Sequence, residues 1–273
     1  MTINCKGKLI DLSSPKVMGI LNLTPDSFYD GGKYRNEKEV LLQVETMLND
    51  GATFIDVGAY SSRPGAQHIS EKEELQRSVP IVKKITHYFP EALLSIDTFR
   101  SVVAEACIKE GGAIINDISA SEMDSEMMTT VARLQVPYIM MHMQGTPQSM
   151  QLKPVYNNVT QDVLQYFSEK IAHARSFGIN DLIIDPGFGF GKTTQHNFQL
   201  LNNLELFKHL NLPILAGLSR KSMIYKTLKT DAQNALNGTT TLNTLALYKG
   251  ASILRVHDVK EAVECVKLLN NLT

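Results

Sequence analysis

The stretch Leu93-Leu-Ser-Ile-Asp-Thr98 is a short aliphatic run that ends on polar residues, and it sets the pattern for the chain. Runs of this kind occur eight times, and short apolar runs of this length are typical of parallel strands buried on both faces. The eight predicted strands are Val17–Asn22, Thr53–Gly58, Leu93–Thr98, Ala113–Ile118, Pro137–His142, Leu182–Gly187, Pro213–Leu218 and Ala251–Val256.

Between these runs, apolar positions recur at helical spacing and are often followed by glycine. The predicted helices are Glu37–Asp50, Glu71–Tyr88, Arg100–Glu110, Glu122–Leu134, Asn157–Phe177, His196–His209, Met223–Leu228, Leu236–Lys249 and Val259–Leu269. Eight parallel strands alternating with helices predict an α/β fold, a (β/α)8 TIM barrel that forms one domain over residues 1–273.

The alternative is an open, doubly wound sheet, which shows the same alternation of strands and helices. A dinucleotide-binding sheet of that type needs a glycine-rich first turn, whereas this turn reads Asn22-Leu-Thr-Pro-Asp-Ser-Phe28. A count of eight strands closes a barrel, so the barrel is favoured.

Composition points to small-molecule partners. Hydrophobic residues make up 43% of the chain, and 27 basic side chains balance 28 acidic ones, which predicts no nucleic-acid or membrane surface. The chain contains no apolar stretch of transmembrane length and no signal-peptide core. Cys5, Cys107 and Cys265 are widely spaced and lack a disulfide pattern, which fits a reducing compartment such as the cytoplasm.

The ends of the predicted strands bring polar side chains to one mouth of the barrel, where active sites of this fold lie. These side chains are Asn22, Asp97, Asn116, His142, Asp185, Arg220, Lys221, Arg255 and His257. Each could have a purely structural role: Asp97 could cap a helix, Asn116 could bind backbone, and His142 could be a core histidine.

Convergence favours a ligand over these separate roles. Buried Asp97, Asn116 and Asp185 would all need hydrogen-bond partners, which a flat, polar, donor-rich molecule would supply. Cationic donors lie on the other connections, and this chemistry suits a phosphate or pyrophosphate group. The cationic candidates are Arg63, Lys221, Arg255 and His257.

The glycine cluster Asp185-Pro-Gly-Phe-Gly-Phe-Gly-Lys-Thr193 is not a nucleotide-binding loop. A phosphate-binding loop needs glycine at position 186, which is proline, and a dinucleotide fingerprint needs glycine at position 192, which is lysine. The cluster gains interest from Asp185, which ends the preceding strand at the mouth.

Seven stretches together resemble the bacterial dihydropteroate synthase family, in order and spacing, from about residue 17 to 258. They are Gly19-Ile-Leu-Asn-Leu-Thr-Pro-Asp-Ser-Phe28, Ser95-Ile-Asp-Thr98, Ile114-Ile-Asn-Asp117, Met141-His-Met-Gln-Gly145, Asp185-Pro-Gly-Phe-Gly-Phe-Gly-Lys192, Leu218-Ser-Arg-Lys-Ser222 and Arg255-Val-His-Asp258. The resemblance implies an enzyme of folate synthesis that joins 6-hydroxymethyl-7,8-dihydropterin diphosphate to 4-aminobenzoate, releasing diphosphate.

The resemblance also implies roles for individual residues. Those implied to bind the pterin are Asp97, Asn116, Asp185 and Lys221. Asn22 is the implied ligand of a magnesium ion bound with the diphosphate, and Arg63, Arg255 and His257 are the implied contacts of the leaving group. The implied aminobenzoate pocket comprises Thr24, Ser61, Ser62, Arg63, Pro64, Phe190 and Ser219. The family is usually a homodimer.

One departure concerns the second long loop. Where the family commonly reads Gly-Gly-Glu-Ser-Thr-Arg-Pro-Gly, this chain reads Gly58-Ala-Tyr-Ser-Ser-Arg-Pro-Gly65, so that Tyr60 replaces an acid and Ser62 a threonine. We expect the change to tune affinity for aminobenzoate or sulfonamides without abolishing the reaction.

Two alternatives of function remain open at this point: a pterin-dependent methyltransferase, and a non-catalytic pterin-binding protein. The first would not need Arg63, Arg255 and His257 for diphosphate, and the second would tolerate loss of Asn22 and Arg63. All four residues are present.

Overall fold

The computed structural model of the protein describes residues 1–23, 33–61, 68–147, 150 and 154–272. Ten strands lie within these ranges, two in an N-terminal hairpin and eight in a parallel sheet. They are β1 (Thr2–Cys5), β2 (Lys8–Asp11), β3 (Lys16–Asn22), β4 (Phe54–Gly58), β5 (Leu93–Asp97), β6 (Ile114–Asp117), β7 (Tyr138–Met141), β8 (Leu182–Asp185), β9 (Leu215–Ala216) and β10 (Ile253–Val256).

The eight-stranded sheet confirms the predicted barrel. Its strand order is β8-β7-β6-β5-β4-β3-β10-β9, and every pairing in it is parallel. One bridge between Ile184 of β8 and Ile214, next to β9, closes the sheet on itself. All eight predicted strands are present, although the predicted strand Pro213–Leu218 contributes only two residues to β9.

Helices follow the strands and cover the outside of the sheet. Those in the described ranges are α1 (Lys33–Asn49), α2 (Glu71–Tyr88), α3 (Ser101–Lys109), α4 (Met127–Leu134), α5 (Val159–Ser176), α6 (Thr194–Asn202), α7 (Ser222–Thr227), α8 (Leu236–Tyr248) and α9 (Val259–Leu269). None of these described helices has the length and apolarity needed to cross a bilayer.

Three predicted helices differ from the structure by more than two residues, and one of them, α1, begins at Lys33 instead of Glu37. The segment predicted to start at Glu122 becomes helical only at Met127, because the carboxylates of Asp117 and Asp124 accept backbone N–H groups and hold a turn instead. The predicted helix His196–His209 is divided into α6 and a short 3-10 helix over Leu204–Leu210.

The N-terminal hairpin, which was not predicted, closes one end of the barrel. Its strands β1 and β2 pair antiparallel; β1 alternates between exposed and buried residues, whereas β2 buries only Ile10. The buried side chains Ile3, Cys5 and Ile10 pack against residues near the start of the barrel strands, including Met18 and Phe54. The opposite end, where the strands finish, is left as the mouth.

Candidate active site

A network of two aspartates and one arginine lies at the mouth. The guanidinium of Arg255, on β10, donates through Nε to Asp56 on β4 over 2.6 Å and through Nη2 to Asp97 on β5 over 2.7 Å. Asn116 on β6 donates through Nδ2 to both oxygens of Asp56 at 3.2 Å. Residues on the four strands β4, β5, β6 and β10 therefore form one hydrogen-bonded cluster.

Asp56 was missed by the sequence analysis, which considered only the ends of the apolar runs. Its side chain is fully buried within β4, between Ile55 and Val57. A charged residue in such a run is itself a signal, because a buried carboxylate requires a cation or several donors. That rule would have identified Asp56 and predicted a basic partner.

Burial and neighbouring charges both shift the pKa values within the cluster. Desolvation raises the pKa of Asp97 to about 7, and the neighbouring charge of Asp56 adds to the rise. Burial alone would lower the pKa of Arg255, but Asp56 and Asp97 outweigh it and raise the pKa instead. The guanidinium thus stays charged, while Asp97 exchanges its proton near neutral pH.

The alternative structural roles of Asp97 and Asn116 are not observed. Helix α3 has no side-chain cap, and its first residue, Ser101, donates its N–H to Asp124 rather than to Asp97. Asn116 directs its amide toward Asp56. Both side chains therefore belong to the polar cluster at the mouth.

Asp185 ends β8 and begins the glycine-rich turn. It is buried, and its Oδ1 accepts the N–H of Gly187 over 2.8 Å. Desolvation raises the pKa of Asp185, opposed chiefly by the charge of Lys221 and the Gly187 hydrogen bond. Asp185 thus offers a largely buried carboxyl group close to a cation.

Lys221 lies over the same turn. Its Nζ donates to the carbonyl of Phe188 and sits 4.4 Å from the centre of the Phe190 ring. Burial lowers the pKa of Lys221 to about 8, against the opposing charge of Asp185. Lys221 therefore joins Asp185 and Phe190 into one side of the mouth.

Ser219 and His257 form a separate pair beyond β9 and β10. The Ser219 hydroxyl lies 3.0 Å from Nδ1 of His257 and accepts the His257 N–H over 3.1 Å. Ser219 is buried, whereas His257 is exposed. The neighbouring Arg220 is instead tied to Asp258 by a two-pronged ion pair and contributes to loop structure.

Only some of the residues predicted on the first two loops lie within the described part of the chain. Thr24, Ser62, Arg63 and Pro64 lie outside the described residues. Asn22 is half-buried at the end of β3, paired in register with Gly58, and Ser61 is half-buried just beyond β4.

Asn22 is the residue at the mouth that the resemblance implies as a magnesium ligand. Within the described residues, no three His, Cys, Asp or Glu side chains are grouped as a metal cage. The carboxamide of Asn22 offers one oxygen, and one protein oxygen fits the needs of a magnesium ion that keeps waters and phosphate oxygens as its other ligands.

Tyr60, which departs from the family pattern, is buried in an aromatic cluster. Its ring meets Phe99 edge-to-face with centroids 5.0 Å apart, and its hydroxyl lies 3.2 Å from Nδ1 of His68. The guanidinium of Arg100 lies 5.4 Å from the centre of the same ring. Tyr60 therefore contributes aromatic contacts to the start of the second loop instead of a negative charge.

Comparison with known proteins was consistent across sequence and structure. Residues 18–257 match the family described as pterin binding enzyme. The dihydropteroate synthase of Escherichia coli strain K12 is 45% identical over 98% of this chain and 95% of its own length.

Solved structures give the same result. A Yersinia pestis dihydropteroate synthase in complex with a sulfonamide drug superposes with a TM-score of 0.93 at 42% identity, covering 100% of this chain and 99% of its own. A Xanthomonas albilineans dihydropteroate synthase with 4-aminobenzoic acid also reaches 0.93, at 36% identity, covering 99% and 97%.

Proposed function

The chain belongs to the pterin-binding dihydropteroate synthases, and on that premise we propose how its own residues carry out the family's reaction. The enzyme is a transferase of folate biosynthesis. It condenses 6-hydroxymethyl-7,8-dihydropterin diphosphate with 4-aminobenzoate, releasing diphosphate and forming 7,8-dihydropteroate. We assign the whole range 1–273 to one pterin-binding domain.

The observation that carries the assignment is the cluster of Asp97, Asn116 and Asp185 with Lys221 across the mouth. A pterin presents N–H donors beside carbonyl and ring-nitrogen acceptors along one edge. The two carboxylates would accept from its N–H groups, and Asn116 and Lys221 would donate to its oxygen and nitrogen atoms. Asp56 would hold Asn116 and Arg255 in place for this contact.

The diphosphate is assigned to Arg63, Arg255 and His257. Arg255 is already held at the mouth by two carboxylates, and His257 is exposed beside it. Asn22 would bind a magnesium ion that accompanies the diphosphate, and that ion would supply charge neutralisation for the leaving group. Cationic donors of this kind stabilise the charge that develops as diphosphate departs.

The aminobenzoate pocket is assigned to Thr24, Ser61, Ser62, Arg63, Pro64, Phe190 and Ser219. Phe190 contributes an aromatic face that Lys221 already contacts, and Ser219 offers a buried hydroxyl next to His257. Tyr60, which lies at the start of the second loop, would influence the position of that loop through its contacts with Phe99 and His68.

Departure of diphosphate before attack by the arylamine suits this arrangement. Loss of the leaving group makes the pterin methylene cationic, and the carboxylates of Asp97 and Asp185 favour that positive charge. The arylamine then attacks the methylene carbon and loses its proton. An arylamine is nucleophilic while neutral, so a strong general base is not required.

A homodimer is the proposed assembly, with α8 as its contact surface. Helix α8 contains no charged residue, and its outer face exposes Leu245 and Tyr248, the latter at 75%. Leu228, which follows α7, is also exposed beside it. Charged residues are depleted in the centre of protein interfaces, and aromatic residues are enriched there.

The proposed compartment is the cytoplasm. Cys5, Cys107 and Cys265 are all free and buried. Burial raises the pKa of Cys5 and of Cys107 to about 12, so these thiols are unreactive.

The decisive experiment measures diphosphate release with the pterin diphosphate, with and without 4-aminobenzoate, and follows dihydropteroate in parallel. We expect dihydropteroate to form only with both substrates, and in an amount that matches the diphosphate released in that reaction. Loss of product in Arg63→Ala or Asp185→Asn, with folding unchanged, would support the assigned roles. Full activity in both variants would overturn them.

A further inference from the structure

Lys192, at the end of the glycine-rich turn, has a buried amino group surrounded by acceptors. Its side chain is only 3% exposed. Nζ lies 2.9 Å from the carbonyl oxygen of Gly187, 3.0 Å from that of Phe190 and 3.2 Å from that of His142. It also lies 2.9 Å from Nδ1 of His142. The amino group of Lys192 therefore contacts main-chain carbonyl oxygens from two different loops.

The contact joins the connection after β7 to the connection after β8. Gly187 and Gly191 have φ values of +70° and +58°, which favour glycine. A Cβ at Gly187 would lie 2.0 Å from the His142 carbonyl oxygen, and one at Gly191 would lie 2.7 Å from that of Gln144. The glycines let the two loops touch backbone to backbone, and Lys192 occupies the space between them.

The protonation state follows from these partners. The three carbonyl oxygens can only accept, and the Lys192 ammonium has three N–H donors, which these oxygens share with Nδ1 of His142. Burial, together with the charge of Lys192, lowers the pKa of His142 to about 2, so the imidazole is neutral and its Nδ1 can accept as well. Burial also lowers the pKa of Lys192, while Asp185 opposes this change.

The same turn carries two residues assigned to the substrates. Gly187 donates its N–H to Asp185 while its carbonyl accepts from Lys192. Phe190 has its carbonyl bound by Lys192 and its ring beside Lys221. The orientation of both substrate residues thus depends on peptide groups that Lys192 holds.

We propose that Lys192, paired with His142, is a positioning residue that fixes the Asp185–Lys192 turn in the conformation that binds pterin and aminobenzoate. The proposal rests on the assigned pterin role of Asp185. Lys192 does not touch the substrates itself, since its amino group is enclosed by the two loops. Removing the amine should therefore loosen substrate binding rather than remove a reacting group.

The first test replaces Lys192 with methionine, which keeps the apolar stem and removes the donors. We expect Lys192→Met to raise the KM for pterin diphosphate and the Kd of a pterin analogue at least tenfold. The KM for 4-aminobenzoate should rise with them through Phe190. The kcat per active site, counted with a tight-binding inhibitor, should change less than either KM.

Lys249→Met is the matched control. Lys249 also donates to a main-chain carbonyl, that of Asn202, but it is half-buried, pairs with Glu205 and lies just past the end of α8, away from the mouth. We expect it to lower the melting temperature and leave both KM values unchanged. If Lys192→Met behaves in the same way, Lys192 only stabilises the fold and the proposal is wrong.

A second pair of variants decides the matter if Lys192→Met does not fold. Asparagine at position 142 can place its side-chain oxygen where Nδ1 lies, whereas leucine cannot. We expect His142→Leu to weaken the pterin analogue and His142→Asn to restore much of the affinity. Equal affinities in the two variants would overturn the pairing.

The proposal and the assigned site fail in distinguishable ways. An unchanged Kd for the pterin analogue in Asp185→Asn would remove Asp185 from the pterin pocket. A weakened Kd in Asp185→Asn together with an unchanged Kd in Lys192→Met would leave the pocket intact and remove only the role of Lys192.

Discussion

At the scale of single residues, Asp97 and Lys221 make the mouth sensitive to pH from opposite sides. The pKa of Asp97 is raised to about 7 by burial, and that of Lys221 is lowered to about 8. A pterin needs the ionised carboxylate as acceptor and the ammonium as donor. We expect pterin affinity to be greatest between these two values and to fall by up to about tenfold per pH unit on the acid side.

Calorimetry of a pterin analogue across this range checks the prediction. Asp97→Asn cannot titrate, so its acid limb should flatten while the alkaline limb due to Lys221 remains. Asp185 is also buried with a raised pKa. An acid limb that persists unchanged in Asp97→Asn would assign it to Asp185 and contradict the role given to Asp97.

Asp185→Asn should weaken pterin binding even at the optimal pH. An amide would place donor hydrogens where the pterin presents its own N–H groups, and an unsatisfied buried donor costs about 1–3 kcal/mol. The control is Asp181→Asn, just before the start of β8, where the carboxylate accepts from the N–H of Asn4. Only the variant at the mouth should change the Kd measured by calorimetry.

The sequence predicted much of the residue-level site, but not its internal pairing. Asp97, Asn116, Asp185, Lys221 and Arg255 could be predicted as neighbours because each lies at or just beyond the end of a parallel strand. The partner of each could not be predicted, since pairing depends on barrel stagger and side-chain reach. Asp56, placed inside a run and not at its end, was therefore missed.

At the scale of elements, the glycine-rich turn after β8 is held close to the loop after β7. Gly187→Ala should destabilise the protein strongly, by on the order of 3 kcal/mol, because a left-handed residue gains a side chain against backbone. Gly178→Ala is the control: its φ is +81°, but an added Cβ meets nothing within 4 Å. That variant should cost only about 1 kcal/mol of backbone strain.

Urea unfolding of the two variants compares these costs. Gly187→Ala should also weaken the pterin analogue, because the turn orients Asp185, whereas Gly178→Ala should not. Equal free energies of unfolding in the two variants would show that the loops can separate without penalty.

The helices and strands differ in how well their existence and their bounds could be predicted from the sequence. Helices α2 and α9 have the predicted bounds, because apolar positions at helical spacing mark both, although the buried face of α2 also includes Glu74 and Ser78. The hairpin of β1 and β2 was missed because each strand has only four residues and too few apolar positions to show a period. The hairpin covers the end of the barrel opposite the mouth. That position depends on tertiary contacts that no local sequence pattern encodes.

At the scale of the whole molecule, the uncharged face of α8 predicts the oligomeric state. Sedimentation of the unmodified protein should give a dimer, and Tyr248→Glu should give monomers because a buried unpaired charge is costly at an interface. Tyr88→Glu, at another exposed tyrosine at the end of α2, is the control and should leave the dimer intact. A monomeric mass for the unmodified protein would contradict the assignment.

The closure of the barrel has a consequence for its breathing motions. Most neighbouring strands share three to five paired residues. Within the described chain, β8 and the region of β9 share a single bridge, between Ile184 and Ile214. This is the weakest seam, and Asp185 lies on one side of it while Lys221 lies on the other. Amide hydrogens of Ile214–Ala216 should exchange faster than those of β4, and a bound pterin that spans Asp185 and Lys221 should slow them. The bound substrate would then stabilise the closure of the barrel between β8 and β9.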